Sequence, residues 1–346
     1  MPFSQYLNRV LITGGSGFIG GTLIRRLLKN TKLNIFNLDK FGYASNSEIH
    51  NQFNKLSRYK LLKVDLSNFE DTKMAIKVAD PDIVFHLAAE SHVDRSIAGP
   101  RIFLESNIIG TFNLLEALMP HWESLSMARK DNFRLIHVST DEVFGTLGAS
   151  GQFCEESQYS PNSPYSATKA SSDHLVNSWH QTYGFPSIIT NSSNNFGPWQ
   201  LPEKLIPVII INALLNKPIP IYGDGKNIRD WIYVEDHINA LIKVALNGRI
   251  GDKYCIGGGQ EKSNLEIVDL ICKFLDYENK SNAPHSRLKL YVKDRLGHDK
   301  RYAINSKKIK EELNWKPKYD FSDAIISTIK WYTNNIDWCN KYITKN

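Results

Sequence analysis

Residues 9–20 read RVLITGGSGFIG, in which a short apolar run leads directly into a turn with three regularly spaced glycines. Such glycines permit a tight turn, a close approach of the backbone to a pyrophosphate, and close packing of the next helix. We expect that helix over 18–30, with the phosphates of a dinucleotide at its N-terminus. The residues predicted to contact this cofactor are Gly14, Gly17, Phe18, Ile19 and Gly20.

The second apolar run, LNIFNLD, ends in Asp39, about 20 residues beyond the glycine turn. A carboxylate at this position binds the ribose hydroxyls of adenosine and repels a 2′-phosphate, which favours NAD over NADP. The adjacent Lys40 leaves NADP open as an alternative. Asp65 and Leu66, at the end of the third run, are predicted to contact the adenine, although Asp65 alone could equally cap a helix.

Five apolar runs alternate with amphipathic segments in the first part of the chain. The runs are RVLIT, LNIFNLD, YKLLKVD, IVFHLA and FRLIHVST, and helices are predicted over 18–30, 71–78, 103–118 and 165–183. This alternation is typical of a parallel sheet covered by helices on both faces. We therefore predict an α/β fold, a Rossmann-type doubly wound parallel sheet with a smaller C-terminal substrate-binding region.

The character of the chain changes after SIITNSSNNFGP, where loops lengthen and elements shorten. We assign 1–190 to an NAD-binding Rossmann domain. We assign 191–346 mainly to substrate binding, interleaved with the last strands of the sheet. A helix is predicted over 265–275, with Asn264 as its N-cap.

Tyr165 and Lys169 in YSATK are four residues apart, and therefore one turn apart on the same face of a helix. A lysine ammonium near a phenol stabilises the phenolate, so we expect Lys169 to lower the pKa of Tyr165 toward neutrality. Tyr165 would then serve as the base that removes a hydroxyl proton during hydride transfer.

The stretch STDEVFG places Asp141 and Glu142 directly after the hydroxyl of Thr140. A simple oxidation, or an epimerisation by rotation of the sugar, needs no such pair. Elimination of water does need it: once C4 of a sugar is a ketone, one carboxylate removes the C5 proton and one carboxylic acid protonates the departing C6 hydroxyl. The pair therefore predicts a dehydratase.

The composition excludes several other classes. The net charge is +6, and 42 basic residues are scattered among 36 acidic ones without the basic stripe of a nucleic-acid binder. The four cysteines lack CxxC spacing and paired histidines, so no metal site or disulfide framework is expected. We see no apolar run that approaches a membrane span and no signal sequence at MPFSQYLNR. A cytoplasmic protein without nucleic-acid or membrane partners is therefore predicted.

The glycine turn, the strand FRLIHVST and the YSATK segment together resemble the extended short-chain dehydrogenase/reductase superfamily. Further stretches along almost the whole chain resemble motifs of the dTDP-glucose 4,6-dehydratase family: HLAAESHVDRSI, STDEVFG, PYSATKA, SNNFGP, PEKLIP, YGDGKNIRDWIYVEDH and DRLGHDKRYAI. The resemblance implies a homodimer that pairs through the helices 103–118 and 165–183. It also implies conversion of dTDP-glucose to its 4-keto-6-deoxy derivative, with NAD as a recycled cofactor.

The same resemblance implies the composition of the site. Catalysis is expected from Thr140, Asp141, Glu142, Tyr165 and Lys169. Further cofactor contacts are expected from Leu87, Ala88, Ala89, Ser91, Ser106 and Asn195. Nucleotide-sugar contacts are expected from Ser91, Thr140, Asn194, Lys204, Leu205, Pro220, Ile221, Tyr222, Arg229, Asn264, Asp294, Arg295 and His298. The charges of Lys204, Arg229 and Arg295 also suit a diphosphate.

The chain departs from the family pattern at Leu296, where proline is usual, and at Phe144, where tyrosine is usual. Three other functions remain open. A UDP-glucose dehydratase would use the same carboxylates, because these act on the sugar and do not contact the nucleotide base. A 4-epimerase or decarboxylase is disfavoured by Asp141 and Glu142, and a non-catalytic NAD-binding sensor or scaffold is disfavoured by Tyr165 and Lys169.

Overall fold

The computed structural model describes residues 7–343. The expectation about a signal sequence concerns residues 1–9, of which 1–6 lie outside the described part. The strands are β1 Arg9–Thr13, β2 Asn34–Asp39, β3 Tyr59–Lys63, β4 Ile83–His86, β5 Arg134–Thr140, β6 Ser187–Ser192, β7 Asn194–Phe196, β8 Ile219–Tyr222, β9 Ile228–Tyr233, β10 Lys253–Ile256, β11 Glu261–Ser263 and β12 Lys289–Val292.

The α-helices are α1 Phe18–Asn30, α2 Glu48–Phe53, α3 Phe69–Ala79, α4 Val93–Ala98, α5 Arg101–Phe103, α6 Gly110–Ser124, α7 Met127–Lys130, α8 Pro164–Tyr183, α9 Leu205–Leu214, α10 Val234–Asn247, α11 Asn264–Glu278, α12 Lys307–Leu313, α13 Phe321–Asn334 and α14 Ile336–Ile343. Short 3₁₀ turns cover Asp141–Phe144, Lys280–Asn282 and His285–Leu288, and a π-helical segment covers Leu104–Ile109.

Seven strands form one parallel sheet in the order β10-β6-β5-β4-β1-β2-β3. The order reverses at β1, where Thr13 pairs with Leu38 on one side and with His86 on the other. In a doubly wound sheet, ligands bind in the crevice at this reversal, outside the carboxyl ends of the strands. The predicted α/β architecture is confirmed.

The strand β1 shows how the two faces of the sheet are covered. Val10 and Ile12 are buried in one apolar cluster with α1 and α10, whereas Leu11 is buried in another with α3, α6 and α8. Successive side chains of a strand point to opposite faces, so an unbroken apolar run satisfies both layers.

The C-terminal half adds a third apolar cluster, formed mainly by α9, α11 and α13. The strand β9 pairs with β7 and β11 in a separate small sheet, and β12 pairs with β8. In contrast, β10 returns to the large sheet beside β6. The domain boundary at residue 190 falls within β6 and remains a prediction.

The helix α11 corrects one expectation. Its N-cap is Ser263, not Asn264: the Ser263 hydroxyl accepts the Glu266 N–H at 3.2 Å, and the Glu266 carboxylate accepts the Ser263 N–H at 2.7 Å. This reciprocal capping box satisfies two backbone donors, so the helix begins one residue earlier than predicted and Asn264 is its first residue.

The elements α5, the π-helical segment and α6 join into one helix, Arg101–Ser124, which has the length and apolar composition of a membrane span. No apolar run of this length was predicted, and the helix extends beyond the predicted 103–118 at both ends. Half of the most apolar stretch of this helix is buried inside the fold, as it is in the core helix of a globular protein. By itself this one helix is weak evidence for a membrane span.

Candidate active site

A cavity of about 300 Å³ lies at the reversal of the strand order. Every residue predicted to contact the cofactor lines it: Gly14, Gly17, Phe18, Ile19, Gly20, Asp39, Lys40, Asp65, Leu66, Leu87, Ala88, Ala89, Ser91, Ser106, Tyr165, Lys169 and Asn195. The structure therefore brings together residues from five strand ends and from three helices, although they span more than half of the chain.

The glycine turn has room for backbone only. Gly14 has φ +67°, and a Cβ there would lie 2.7 Å from the Cα of Ala88. A Cβ on Gly20 would lie 2.4 Å from the carbonyl oxygen of Gly14. The turn is thus a bare backbone cradle at the N-terminus of α1, which fits the pyrophosphate of a dinucleotide.

The Asp39 carboxylate ends β2 at the wall of the cavity. It accepts the backbone N–H of Ser16 at 2.9 Å, the N–H of Phe41 at 2.8 Å and the hydroxyl of Ser45 at 2.7 Å. These donors keep the carboxylate in place beside the glycine turn, where a ribose would lie.

Lys40 is neutralised by a neighbouring acid. Its ammonium lies 2.9 Å from the Glu90 carboxylate and donates to the Ser106 hydroxyl at 3.3 Å. Since Glu90 offsets the charge of Lys40, the lysine gives little reason to expect a 2′-phosphate. Asp65 is not a helix cap: it accepts the N–H of Ser67, whereas Asn68 caps α3.

The Tyr165–Lys169 pair lies on the first turns of α8, which begins with Pro164 and a capping box at Ser163. The Lys169 ammonium donates to the backbone oxygen of Val138 at 3.0 Å, so the lysine is held against β5. Both side chains are buried and both line the cavity.

The pKa of Tyr165 differs from the expectation. Burial, followed by the nearby carboxylates of Glu142 and Asp141, raises the pKa of Tyr165 well above its ordinary value, and a hydrogen bond with Thr140 lowers it only in part. The prediction that Lys169 brings this pKa toward neutrality is therefore wrong for the protein alone, because loss of hydration and two acidic neighbours raise the pKa instead.

Asp141 and Glu142 lie in the 3₁₀ turn after β5, with the Glu142 N–H donating to the Thr140 hydroxyl at 3.3 Å. Burial, Glu142 and Asp230 raise the pKa of Asp141 well above its ordinary value. Burial also raises the pKa of Glu142 above its ordinary value, and the nearby charges of Arg229 and Lys204 oppose this rise only in part. Two adjacent carboxyls with unequal proton affinities can serve as an acid and a base.

The predicted nucleotide-sugar residues fall into two groups. Ser91, Thr140, Asn194 and Lys204 line the cavity. The others lie outside its lining, on α9, β8, β9, α11 and the loop after β12: Leu205, Pro220, Ile221, Tyr222, Arg229, Asn264, Asp294, Arg295 and His298.

Contacts of these residues, and of Lys204 in the first group, tie neighbouring elements together. Arg295 contacts the Asp94 carboxylate through Nε at 2.5 Å and Nη2 at 2.9 Å, which ties the loop after β12 to α4. The buried Arg229 lies 4.4 Å above the ring of Tyr302. Lys204 donates to the carbonyl oxygen of Ser91 at 2.8 Å.

Sequence reasoning missed several cavity residues. They include Glu90, Ser193, Gln200 and Glu203. Glu203 is adjacent to Lys204 in the PEKLIP motif, which was a usable signal. Among the described residues, the buried Ser193 hydroxyl, the Asn194 amide oxygen and Asp141 Oδ2 have no hydrogen-bond partner, so the wall presents free polar groups.

A backbone cradle for a pyrophosphate, a Tyr–Lys pair and two unequal carboxyls together define an extended short-chain dehydrogenase/reductase of the dehydratase type. Residues 11–328 match the family model described as GDP-mannose 4,6 dehydratase. The chain is 48% identical over 341 residues to a dTDP-glucose 4,6-dehydratase of Salmonella typhimurium, covering 96% of this chain and 94% of that protein. The chain belongs to the dTDP-glucose 4,6-dehydratase family.

Two further comparisons agree. A dTDP-glucose 4,6-dehydratase of Haemophilus influenzae is 49% identical over 331 residues, covering 94% of this chain and 98% of that protein. The crystal structure of a dTDP-glucose 4,6-dehydratase from Streptomyces venezuelae with NAD bound has a TM-score of 0.88 and 37% identity, covering 96% of this chain and 99% of that one. The predicted family and Rossmann-type fold are confirmed.

Proposed function

We propose that the protein is an NAD-dependent hydro-lyase that converts dTDP-glucose to dTDP-4-keto-6-deoxyglucose and water. The observation that carries this proposal is the placement of Asp141 and Glu142 in the same cavity as Tyr165, beside the glycine cradle. The names of the relatives and the NAD in a solved neighbour bear out the activity and the cofactor predicted from the sequence.

The first step assigned to this chain is removal of the C4 hydroxyl proton. NAD, held by the glycine turn and Asp39, supplies the hydride acceptor. Tyr165 takes the proton, Thr140 orients the phenol oxygen by its hydrogen bond, and Lys169 supplies a positive charge one helical turn away. Tyr165 must enter this step as a phenolate, the form that the ammonium of Lys169 favours.

Elimination follows from the unequal carboxyls. Glu142, whose carboxylate is favoured by the nearby cations Arg229 and Lys204, is the group assigned to remove the C5 proton. Asp141, whose pKa is raised well above its ordinary value by burial and by Glu142, is the carboxyl assigned to give a proton to the departing C6 oxygen. Glu142 then returns its proton to C5 as the hydride passes to C6, and the proton that Tyr165 took from the C4 hydroxyl passes to Asp141, so each residue ends in its starting state.

The experiment that tests this function is incubation with dTDP-, UDP-, CDP- and GDP-glucose, followed by an assay for the 4-keto sugar. We expect the fastest turnover with dTDP-glucose. A preference for UDP-glucose would favour the dehydratase of another nucleotide. Formation of a C4 epimer or of carbon dioxide would identify one of the other enzymes, and absence of turnover with all four sugars would leave the NAD-binding scaffold.

We also propose a homodimer and a cytoplasmic location. Large apolar side chains are exposed along the helix 101–124 and at the end of α8: Ile102, Leu104, Ile109, Phe112 and Tyr183. The two helices already meet through the rings of Phe112 and Trp179, 5.9 Å apart, and contiguous exposed apolar side chains are typical of an interface. In the described chain all four cysteines are free thiols, which suits a reducing compartment.

The dimer has a direct test. We expect Ile109→Asp to shift the protein toward monomer in sedimentation equilibrium. Met74→Asp, at an exposed methionine on α3, is the matched control and should leave the mass unchanged. A monomeric wild-type protein would contradict the proposal.

A further inference from the structure

A buried carboxylate lies on the catalytic helix beyond the residues used so far. Tyr165, Lys169 and Asp173 follow one another at intervals of four in α8, and therefore share one face of the helix. Asp173 is only 1% exposed and does not line the cavity. Such a group cannot bind substrate, and its burial is costly unless it is compensated.

Four donors compensate this carboxylate. Asp173 Oδ2 accepts the hydroxyl of Ser139 at 2.9 Å, the phenol of Tyr159 at 2.8 Å and the amide of Asn191 at 3.2 Å. Asp173 Oδ1 lies 3.0 Å from Nε2 of His137. The donors come from β5, β6 and the loop before α8, so the strands beneath the helix hold an anion in place.

The anion persists in spite of burial. Burial alone would raise the pKa of Asp173, but the hydrogen bonds from His137 and Ser139, together with the nearby charge of Lys169, lower it below its ordinary value. The two buried histidines of this region are neutral donors and acceptors, because burial lowers the pKa of both His86 and His137. Asp173 is thus a fixed negative charge.

The buried ammonium of Lys169 requires a nearby negative charge to remain protonated. Its ammonium donates to an uncharged backbone oxygen, and within residues 7–343 it makes no direct ion pair. Burial lowers the pKa of Lys169 to about 8, and Asp173 is the charge that opposes this effect. The titratable groups that face the pair from the surrounding elements are His86, His137, Tyr159, Tyr165, Asp141 and Glu142.

We propose that Asp173 is a positioning residue for the reaction, a buried counter-ion that keeps Lys169 in its ammonium form one turn from Tyr165. The inference rests on the proposed function, in which this ammonium assists Tyr165. Asp173 acts at a distance, through the low-dielectric interior between successive turns of α8, and not through a salt bridge.

The test measures the ionisation of Lys169 directly. The wild-type protein and Asp173→Asn are labelled with acetic anhydride across a pH series, and acetylation of the Lys169 peptide is quantified by mass spectrometry. The cavity gives the reagent access to Lys169. The midpoint is the pH at which acetylation of Lys169 reaches half of its maximum. Loss of the buried anion should lower this midpoint by about one pH unit or more. The alkaline fall of keto-sugar formation should move downward by a similar amount.

Matched variants separate charge from packing. Asp173→Glu keeps the charge and should hold the midpoint near the wild-type value. Ser171→Ala, which removes a partly exposed hydroxyl bonded only to the Ala167 carbonyl, should not move it. If asparagine does not fit, Asp173→Ser is a smaller uncharged replacement with the same expected shift.

An unchanged midpoint in a folded, uncharged variant would overturn the proposal, even if its activity fell. The labelling does not depend on the substrate. A wild-type protein that is inactive on dTDP-glucose would therefore contradict the proposed function alone. If the wild type is active but Asp173→Asn leaves the midpoint of Lys169 acetylation unchanged, only the role of Asp173 is contradicted.

Discussion

The backbone N–H of Ser16 donates to the Asp39 carboxylate at 2.9 Å, so the glycine turn and the end of β2 are tied together by the residue expected to bind ribose. Asp39 thus has two tasks, shaping the turn and accepting hydroxyl groups of the cofactor. A substitution there affects both, and an experiment must separate them.

Asp39→Ala is expected to weaken NAD binding by about 1.5–3 kcal/mol, the usual contribution of hydrogen bonds to a charged group. Discrimination against NADP should also fall, because a 2′-phosphate would no longer meet a carboxylate. Titration calorimetry with both cofactors measures the two effects. Ser45→Ala removes a partner of Asp39 but leaves its charge, so it should preserve the preference. Unchanged affinity of Asp39→Ala for both cofactors would place the ribose elsewhere.

The glycine turn allows a comparison of two alanine substitutions with the same backbone strain. Gly14 and Gly184 both have φ +67°, but a Cβ at Gly184 meets nothing within 4 Å, whereas at Gly14 it lies 2.7 Å from Ala88 backbone atoms. Each substitution should cost about 1–2 kcal/mol for the left-handed conformation. Gly14→Ala should cost more and abolish NAD binding. Urea unfolding of the cofactor-free proteins measures the loss in free energy of unfolding. Equal losses for the two variants would show that the backbone at Ala88 moves aside at little cost.

The cofactor should end each turnover as it began. We expect the purified protein to retain NAD and to convert many equivalents of dTDP-glucose without added cofactor. Absorbance at 340 nm should show no net accumulation of reduced cofactor, while the keto-sugar assay records product. Release of one reduced cofactor per sugar would instead identify a simple dehydrogenase.

Tyr165, Asp141 and Glu142 act on different atoms of one sugar, so their variants should stop at different stages. Tyr165→Phe should block oxidation, leaving no reduced cofactor and no exchange at C5. Glu142→Gln should permit oxidation, accumulate reduced cofactor and 4-ketoglucose nucleotide, and slow turnover by roughly 10²–10⁴-fold. Asp141→Asn should slow loss of water but still exchange the C5 proton.

These stages are followed in deuterated water by absorbance at 340 nm and by deuterium at C5. Thr146→Ala, at a residue outside the cavity lining, is a control that should behave as wild type. If Glu142→Gln exchanges C5 as fast as wild type, Glu142 is not the base.

Local patterns predicted much of this protein. The turn at Gly14 and the carboxylate of Asp39 are separated by one strand–helix unit, and Tyr165 and Lys169 by one helical turn, so spacing alone places each pair. The Arg295–Asp94 pair joins residues 201 positions apart in the chain, which no spacing rule reaches. The predicted lowering of the pKa of Tyr165 was wrong, because this pKa depends on burial and on carboxylates that only the folded chain places beside the phenol.

Two smaller differences have the same origin. Asn264 and Ser263 are both good capping residues, and only the reciprocal bond with Glu266 decides between them. Asp173 carried a usable signal, its position four residues after Lys169, but its donors from β5 and β6 are visible only in three dimensions.

The return of β10 to the large sheet bears on how the chain folds during synthesis. The partner of β6 on its outer side is Lys253–Ile256, about 60 residues further along the chain, after β7, β8 and β9. Until the ribosome has released that segment, β6 is an unpaired edge open to pairing with other chains. A chain truncated after residue 200, which contains β6 but not β10, should therefore depend on chaperones and be readily digested by protease, whereas one that extends beyond β10 should acquire resistance.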